Sequence, residues 1–349
     1  MKSKKMLISI LFILVLILPL LYFKISDNFK NKDDCMQDTD ELKIIGSYHE
    51  DMIKSLVEVY AKENNCKVSY VRMPTQVAQK RLIAEKDKPV YDVWIGGTVD
   101  AHELLKLEGV LKACTTKEEK NISSRYLDKD GVWKAQYIEV LSIGINVEKW
   151  EKNFSNIDMP KTLEDLLNPA YKGEIIMPNP MTSGTGYTFI ASVLEKYGEE
   201  KGWDYLEKLN NQIGQYTDSG YTASERVGFG EYLICLNFLS DQQLIKSLGY
   251  PLESIVYDKA GWSAVPVSLV KGGANACRGK DFINFCLSKE AGDILVGLGD
   301  VMTVRDDCIK PRYNLSNTDI NTEFSPLSNI DKKEERVKRF STILFLLHL

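Results

Sequence analysis

The segment Glu174–Tyr187, EIIMPNPMTSGTGY, joins a predicted strand to a predicted helix in this 349-residue chain. The segment Glu174–Met177, apolar after its first residue, predicts a buried strand. The two prolines end it, and a helix is expected over Thr182–Tyr197. Hydroxyl residues and glycines at a helix start leave backbone N–H groups free at the positive end of the helix dipole. We therefore expect a phosphate or carboxylate group to bind at Thr182, Ser183, Gly184 and Thr185. Helix capping without a ligand is the alternative, although capping explains only one hydroxyl.

Strands and helices alternate upstream of this segment. Strands are predicted at residues 42–45, 67–72 and 91–95, and helices from residue 52, over 77–85 and over 99–107. Further strands are predicted over 131–147, 231–239 and 264–270. Such alternation is typical of parallel βαβ units, so the fold class is α/β. Ligands of open α/β sheets bind at the carboxyl ends of the strands, which directs attention to the loops 46–49 and 96–98.

The composition excludes several classes of protein. Hydrophobic residues make up 44% and charged residues 27% of the chain, which is ordinary for a folded protein and not for a disordered one. The formal net charge of -5 argues against nucleic acid as a partner, because phosphate backbones require clustered Lys and Arg. A chain of this length usually forms two domains.

The N-terminus carries an export signal. Lys2, Lys4 and Lys5 precede the apolar run Met6–Phe23, a pattern typical of a signal peptide or of a membrane anchor. No clear cleavage site follows, so residues 1–25 are read as a signal or anchor segment, and the anchor is favoured. Residues 26–41 are polar and are read as a stalk. The remainder is expected outside the cytoplasm, either tethered to the outer face of the membrane or secreted.

Metal and catalytic motifs are weak. The seven cysteines contain no C-x-x-C pair and the three histidines do not cluster with them, so no metal site and no cofactor is expected. The segment 272–281, GGANACRGKD, lacks the spacing of a phosphate loop, and no serine–histidine–acid set is apparent. We expect a protein that is not an enzyme; an extracytoplasmic enzyme is a remote alternative.

Several motifs in a fixed order resemble a known family. They are YDVWIGG at 91–97, GVWKAQYIEVLSIGINVEKW at 131–150, KTLEDLLNPAYKGEIIMPNPMTSGTGYT at 161–188 and VSLVKGGANACRGKDFINFCLSKEAGDIL at 267–295. The chain resembles the extracellular solute-binding proteins of ABC importers, of the type II periplasmic-binding-protein class. Its group includes receptors for ferric iron, phosphoglycerate, hexose phosphates and aminoethylphosphonate.

The resemblance implies two α/β lobes that close like a hinge on a ligand in the cleft between them. Lobe one would comprise residues 42–140 plus 264–349, and lobe two residues 141–263. An ABC permease in the membrane would be the partner, a sensor kinase is an alternative, and the receptor itself is expected to be a monomer. The ligand would be a small anionic solute, a phosphorylated organic compound or a phosphonate.

The resemblance also implies which residues face the ligand. Ser47, Tyr48, Gly97 and Thr98 would face the helix start from lobe one, and Tyr221 would border the cleft. Asp241 stands where sugar-phosphate-binding members keep an Asp, and it could accept hydrogen bonds from hydroxyls or pair with an amine. A turn residue without a ligand is the alternative for Asp241.

Two departures bear on the ligand. Ferric-binding members carry a Tyr-Tyr pair where this chain has Phe238-Leu239, which offer Fe(III) no oxygen donor. Iron stays an alternative, since Tyr48, Tyr216 and Tyr221 could supply phenolates. Sugar-phosphate-binding members often carry an acidic residue where Ser263 falls, and its absence argues against a sugar phosphate.

Overall fold

A computed structural model of the chain describes residues 41–313, 315, 321 and 323–346. Its strands are β1 (Glu41–Ser47), β2 (Lys67–Arg72), β3 (Val93–Gly96), β4 (Leu111–Lys112), β5 (Trp133–Asn146), β6 (Ile175–Pro178), β7 (Ile213–Thr217), β8 (Ile234–Phe238), β9 (Leu252–Ile255), β10 (Trp262–Val270) and β11 (Met302–Thr303).

The helices follow most of these strands directly. They are α1 (Glu50–Glu63), α2 (Thr75–Ala84), α3 (Val99–Leu107), α4 (Val147–Asn153), α5 (Gly184–Tyr197), α6 (Glu199–Asn210), α7 (Gly220–Gly228), α8 (Leu239–Ser247), α9 (Ala276–Cys286), α10 (Lys289–Gly299) and α11 (Lys333–Leu346). Short 3-10 turns lie at Glu118–Asn121, Ser124–Tyr126, Asp165–Leu167, Pro169–Tyr171 and Ile330–Lys332.

The sheet has the order β2-β1-β3-β10-β5-β8-β6-β7. At one end β2, β1 and β3 are parallel, and at the other β7, β6 and β8 are parallel. In both halves the first strand in the sequence lies in the middle and the next two flank it. Each half is therefore a parallel βαβ unit, which confirms the predicted α/β class.

β5 and β10 connect the two halves. Residues 133–140 of β5 pair antiparallel with β10, and residues 141–145 pair antiparallel with β8. All of β5 is buried. A single strand thus belongs to both halves, as expected for two lobes joined by crossing strands.

Helices cover both faces of each half. In lobe one, α1, α9 and α10 pack on one face of the sheet and α2 and α3 on the other. In lobe two, α5 and α6 pack on one face and α7 and α8 on the other. Parallel sheets need this double cover, because their strands are apolar on both sides.

The C-terminal helix corrects the predicted domain division. The sequence assigned residues 264–349 to lobe one, but Phe340 and Ile343 of α11 lie in the apolar core of lobe two, and α11 packs against α6. Chain order alone does not indicate to which lobe a terminal helix returns. The other predicted limits, 42–140 and 141–263, remain predictions. From here on, α11 is assigned to lobe two.

Other local expectations changed less. Glu41, predicted to end the stalk, begins β1. The predicted signal or anchor segment 1–25 and residues 26–40 of the predicted stalk lie outside the described residues. Within the described part of the chain no helix has the length and apolar character needed to span a bilayer.

Candidate functional site

Helix starts from both lobes surround one cleft. α1, α2 and α3 of lobe one, and α5, α7 and α8 of lobe two, each have a lining residue in the first turn or directly before it. Each of these helices follows a strand, so the cleft lies at the carboxyl ends of both parallel units. The empty space around these residues, including the open mouth of the cleft, is about 690 Å³.

Most of the residues predicted from the sequence line this cleft. They are Ser47, Tyr48, Gly97, Thr98, Ser183, Thr185, Tyr221 and Asp241. His49, in the predicted loop 46–49, also lines it. Several other lining residues were not singled out from the sequence, among them Arg72, Thr75, Tyr137, Glu139, Ser219 and Ser240. The cleft therefore contains charged groups that were not among the site residues predicted from the sequence motifs.

One end of the cleft is rich in hydrogen-bond donors. Ser183 is the N-cap residue of α5, yet its hydroxyl makes no capping bond, and both Ser183 and Thr185 are buried. The hydroxyl of Thr98 is buried opposite them and finds no hydrogen-bond partner among the described residues. The first N–H groups of α5 have no partner within the helix. Buried donors without acceptors are costly, so a ligand with several acceptor oxygens fits here.

The helix starts around the cleft differ in charge. The first turns of α2, α5 and α7 carry no acidic residue. Those of α1, α3 and α8 do, as with Asp100 in α3 and Asp241 in α8. An acidic side chain near a helix start offsets the positive end of the dipole. The positive ends of α2, α5 and α7 are not offset in this way.

Arg72 adds a full positive charge. It ends β2, is partly buried, and its Nε donates to the carbonyl O of Tyr48 at 3.3 Å. Among the described residues its guanidinium forms no ion pair with a carboxylate. It remains close enough to Asp241 and His49 to act on their charged forms.

Thr182 and Gly184, also predicted as ligand residues, do not line the cleft. The Thr182 hydroxyl donates to the carbonyl O atoms of Asn179 and Asp218, at 3.3 and 3.2 Å. The Thr182 carbonyl accepts the N–H of Gln76 across the lobes at 3.0 Å. A Cβ at Gly184 would lie 2.5 Å from Thr98 Oγ1, so glycine allows α5 to approach lobe one. Both residues join the lobes beside the cleft.

Acidic residues also line the cleft. Ser240 donates to both carboxylate oxygens of buried Glu139, at 2.8 and 2.6 Å. Burial and the neighbouring Asp241 raise the pKa of Glu139 well above its usual range. Burial raises the pKa of Asp241 to about 7, although Arg72 acts in the opposite direction. The two carboxyl groups repel each other when both are ionised, so they do not readily carry two negative charges. A ligand with donor hydroxyls or an ammonium would relieve this repulsion.

Aromatic rings complete the wall of the cleft. His49 and Tyr221 meet across the lobes with ring centroids 4.3 Å apart. The Tyr48 hydroxyl, predicted to face the ligand, instead donates to the Gln136 side chain, and its ring packs against Gly96. Burial raises the pKa of Tyr221 to about 12 and that of Tyr48 well above its usual range.

Comparisons with known proteins agree with this geometry. Residues 88–319 match the family model described as bacterial extracellular solute-binding protein. The chain belongs to this family. An uncharacterised protein of Haemophilus influenzae is 30% identical over 258 residues, 72% of this chain and 74% of its own length. A probable ABC transporter periplasmic-binding protein of Sinorhizobium fredii is 25% identical over 169 residues, 46% of this chain and 44% of its own length.

A solved structure extends the comparison to the fold. The periplasmic binding protein AfuA from Actinobacillus pleuropneumoniae, with fructose 6-phosphate bound, has a TM-score of 0.84 and 28% identity. The match covers 88% of this chain and 100% of AfuA. The chain is thus a two-lobed type II periplasmic binding protein, a solute receptor of the ABC-importer type. Family membership implies a solute ligand, a permease partner and an extracytoplasmic location.

In this receptor a histidine outside the cleft positions a ligand loop. His102 is fully buried and stacks on Trp94 with a centroid distance of 3.8 Å. Its Nε2 donates to the carbonyl O of Gly96 at 2.8 Å, so its Nδ1 accepts from the Ser268 hydroxyl at 2.8 Å. Gly96 has a left-handed φ of 79° and precedes Gly97 and Thr98. The histidine therefore fixes the loop that carries the unpartnered hydroxyl.

Burial lowers the pKa of His102 from 6.5 to about 3. The unfolded chain binds a proton at this residue between pH 6.5 and 3 and the folded chain does not, so stability is lost as the pH falls. We expect His102 alone to lower the free energy of unfolding by about 1.4 kcal/mol per pH unit in that window. Urea unfolding at several pH values between 4 and 6 gives the free energy of unfolding as a function of pH. In His102→Asn this free energy should change less steeply with pH, by about 1.4 kcal/mol per pH unit.

His49→Asn is the control for this measurement. His49 is partly exposed and its pKa is lowered without reaching so low a value, so its replacement should change the slope less. Equal slopes in the wild type and in His102→Asn would contradict the assignment of a neutral, buried His102.

Proposed function

We propose that this receptor binds a small organic phosphate or phosphonate whose body carries hydroxyl or ammonium donors, and delivers it to an ABC permease. The observation that carries the proposal is that groups of both signs line one cleft. Arg72 and helix starts without acidic residues supply positive charge, and Glu139 with Asp241 supplies acceptors. A molecule with an anion at one end and donors at the other matches both.

The phosphate group is assigned to the start of α5. Ser183 and Thr185 offer hydroxyls, Thr98 faces them from lobe one, and the N–H groups of the first turn complete the donor set. Phosphate has enough acceptor oxygens to use all of these donors, and the helix dipole favours its charge. Arg72 is the side chain proposed to neutralise it.

The body of the ligand is assigned to Glu139, Ser240 and Asp241. Glu139 lies directly across from Ser263 in the antiparallel pairing of β5 with β10. Facing residues in such a pair lie side by side on the same face of the sheet. The acidic residue missing at Ser263 is thus supplied by the neighbouring strand, which removes the objection to a sugar phosphate. That AfuA binds fructose 6-phosphate agrees with this assignment.

Ferric iron is the competing ligand within the same fold. Glu139, Asp241 and Tyr221 could offer oxygen donors. Arg72 and the positive helix ends, however, oppose a trivalent cation, and the Tyr48 hydroxyl is engaged by Gln136. The positive end of the cleft has no role in binding a bare metal ion, so the organic anion is preferred.

Localisation is proposed from the N-terminal sequence. Lys2, Lys4 and Lys5 with the run Met6–Phe23 would direct export and tether the receptor, and residues 26–40 would separate it from the membrane. A receptor held near its permease needs no diffusion step to deliver ligand. Presentation of the ligand to a sensor kinase is the alternative use of the same cleft.

Calorimetry with a panel of ligands tests the proposed class. We expect heat of binding with fructose 6-phosphate, a phosphoglycerate or 2-aminoethylphosphonate, and weaker binding of inorganic phosphate, which lacks a body. Binding of Fe(III) alone, with the reddish colour of a tyrosinate complex, would overturn the proposal in favour of the iron receptor.

Ser183→Asp should abolish binding of the ligand identified in that panel, with a loss of at least about 100-fold in Kd. The new carboxylate would stand where the phosphate is proposed to lie, and like charges repel. Aspartate is among the best N-cap residues, so α5 should keep its stability. Calorimetry measures the loss, and thermal unfolding checks the fold.

Ser183→Ala is the matched control, since it removes one hydroxyl without adding charge. It should cost about tenfold, the lower end of the range for one hydrogen bond to a charged group. Unchanged affinity in Ser183→Asp would show that the anion binds elsewhere.

Glu139→Gln separates the body of the ligand from its phosphate. The amide keeps the shape of the side chain but cannot carry the negative charge that Glu139 and Asp241 share. We expect a loss of about tenfold to 100-fold for the organic ligand and no loss for inorganic phosphate, measured by competition calorimetry. An equal loss for both ligands would place Glu139 outside the recognition of the body.

A further inference from the structure

A buried lysine lies at the junction of the lobes, outside the ligand cleft. Lys333, the first residue of α11, is 3% exposed, and its Nζ lies 2.6 Å from Asp100 Oδ2. Asp100 is 2% exposed. The Lys333 Nζ also lies 4.9 Å from the centre of the Tyr187 ring and 3.3 Å from Gln79 Oε1. Lys and Asp side chains are rarely fully buried in proteins, so this ion pair calls for an explanation.

The lysine is carried by lobe two. Three contacts of α11 with lobe two hold it there. Arg336 Nη2 lies 2.7 Å from Glu199 Oε1, and Arg339 lies over the Trp203 ring. Phe340 lies in the apolar core of lobe two. Its acidic partner is carried by lobe one, in α3, two residues after Thr98. The Lys333–Asp100 pair therefore spans the two lobes.

The pair also contacts the helix starts that form the cleft. Asp100 lies in the first turn of α3, and Tyr187 follows Thr185 by two residues in α5. Gln79 lies in α2, which begins at Thr75 beside the cleft. The ammonium group thus meets one helix of lobe two and two helices of lobe one, each within a few residues of the ligand donors.

We propose that Lys333 is a positioning residue that holds the two lobes closed from outside the cleft. When the lobes separate, Lys333 and Asp100 part and each is hydrated; when they close, both are buried and each needs the other. Removing one partner leaves an unpaired buried charge only in the closed state, so it favours opening. The proposal does not depend on which ligand the receptor binds.

One backbone amide reports closure directly. The N–H of Gln76 donates to the Thr182 carbonyl across the lobes at 3.0 Å. Gln76 is the second residue of α2, so no carbonyl of its own helix can accept this N–H. Its protection from hydrogen exchange therefore depends on the lobes being closed.

Hydrogen–deuterium exchange on the ligand-free full chain, read at single-residue level by mass spectrometry, tests the proposal. In Lys333→Met and in Asp100→Asn we expect the Gln76 amide to exchange about tenfold faster, while the amides of β5 remain unchanged. The double variant Lys333→Met with Asp100→Asn should recover part of the protection, because no unpaired charge is then buried.

Lys332→Met is the matched control. This neighbouring lysine is 44% exposed, and its Nζ lies 3.8 Å from Glu199 within lobe two, so its loss should leave Gln76 exchange unchanged. Asp100→Asn keeps the shape of the side chain and remains informative if Lys333→Met fails to fold. Unchanged Gln76 exchange in folded Asp100→Asn, or equal acceleration at Gln76 and in β5, would overturn the proposal.

Discussion

The antiparallel pairing of β5 with β10 is the constraint on which the rest of the structure depends. β5 pairs with β10 through its first half and with β8 through its second, so each parallel unit is built outward from one continuous buried strand. The two units repeat the same strand order, β2-β1-β3 and β7-β6-β8. Their carboxyl ends consequently meet at one cleft, and the helices that follow them begin there. No single motif creates this convergence, because it is a property of the pairing.

The convergence of helix starts creates a positive field that the chain offsets selectively. Acidic first-turn residues occur in α1, α3 and α8 and are absent from α2, α5 and α7. The absence leaves positive dipole ends available to a ligand. In the same cleft, burial and the neighbouring Asp241 raise the pKa of Glu139. The net charge of -5 therefore says little about the cleft, which is lined by groups of both signs.

What the sequence could predict depended on how local the signal was. The start of α5 is specified by adjacent residues, so Ser183 and Thr185 were recognisable as buried donors before the fold was known. Arg72 was not, because it is one of 44 Lys and Arg residues and only the parallel register of β2 brings it to the cleft. Glu139 lies inside an apolar strand, and its position opposite Ser263 follows from long-range pairing. Tyr48 lines the cleft, but the hydrogen bond of its hydroxyl to Gln136 has no local signature in the sequence.

The residues that hold the lobes together and those proposed to bind the ligand occupy the same helix turns. Thr98 lies so close to the start of α5 that only glycine fits at position 184. The carbonyl O of Thr182 accepts the N–H of Gln76, the second residue of α2. An open cleft would separate Thr98 from Ser183 and divide the donors for one phosphate between two solvated surfaces. A ligand that uses donors from both lobes binds the closed state better than the open one, and this difference in affinity is what shifts a hinge equilibrium. Because closure also buries Lys333 against Asp100, the energy of closing is shared between the ligand and the protein, and affinity can change through residues that never touch the ligand.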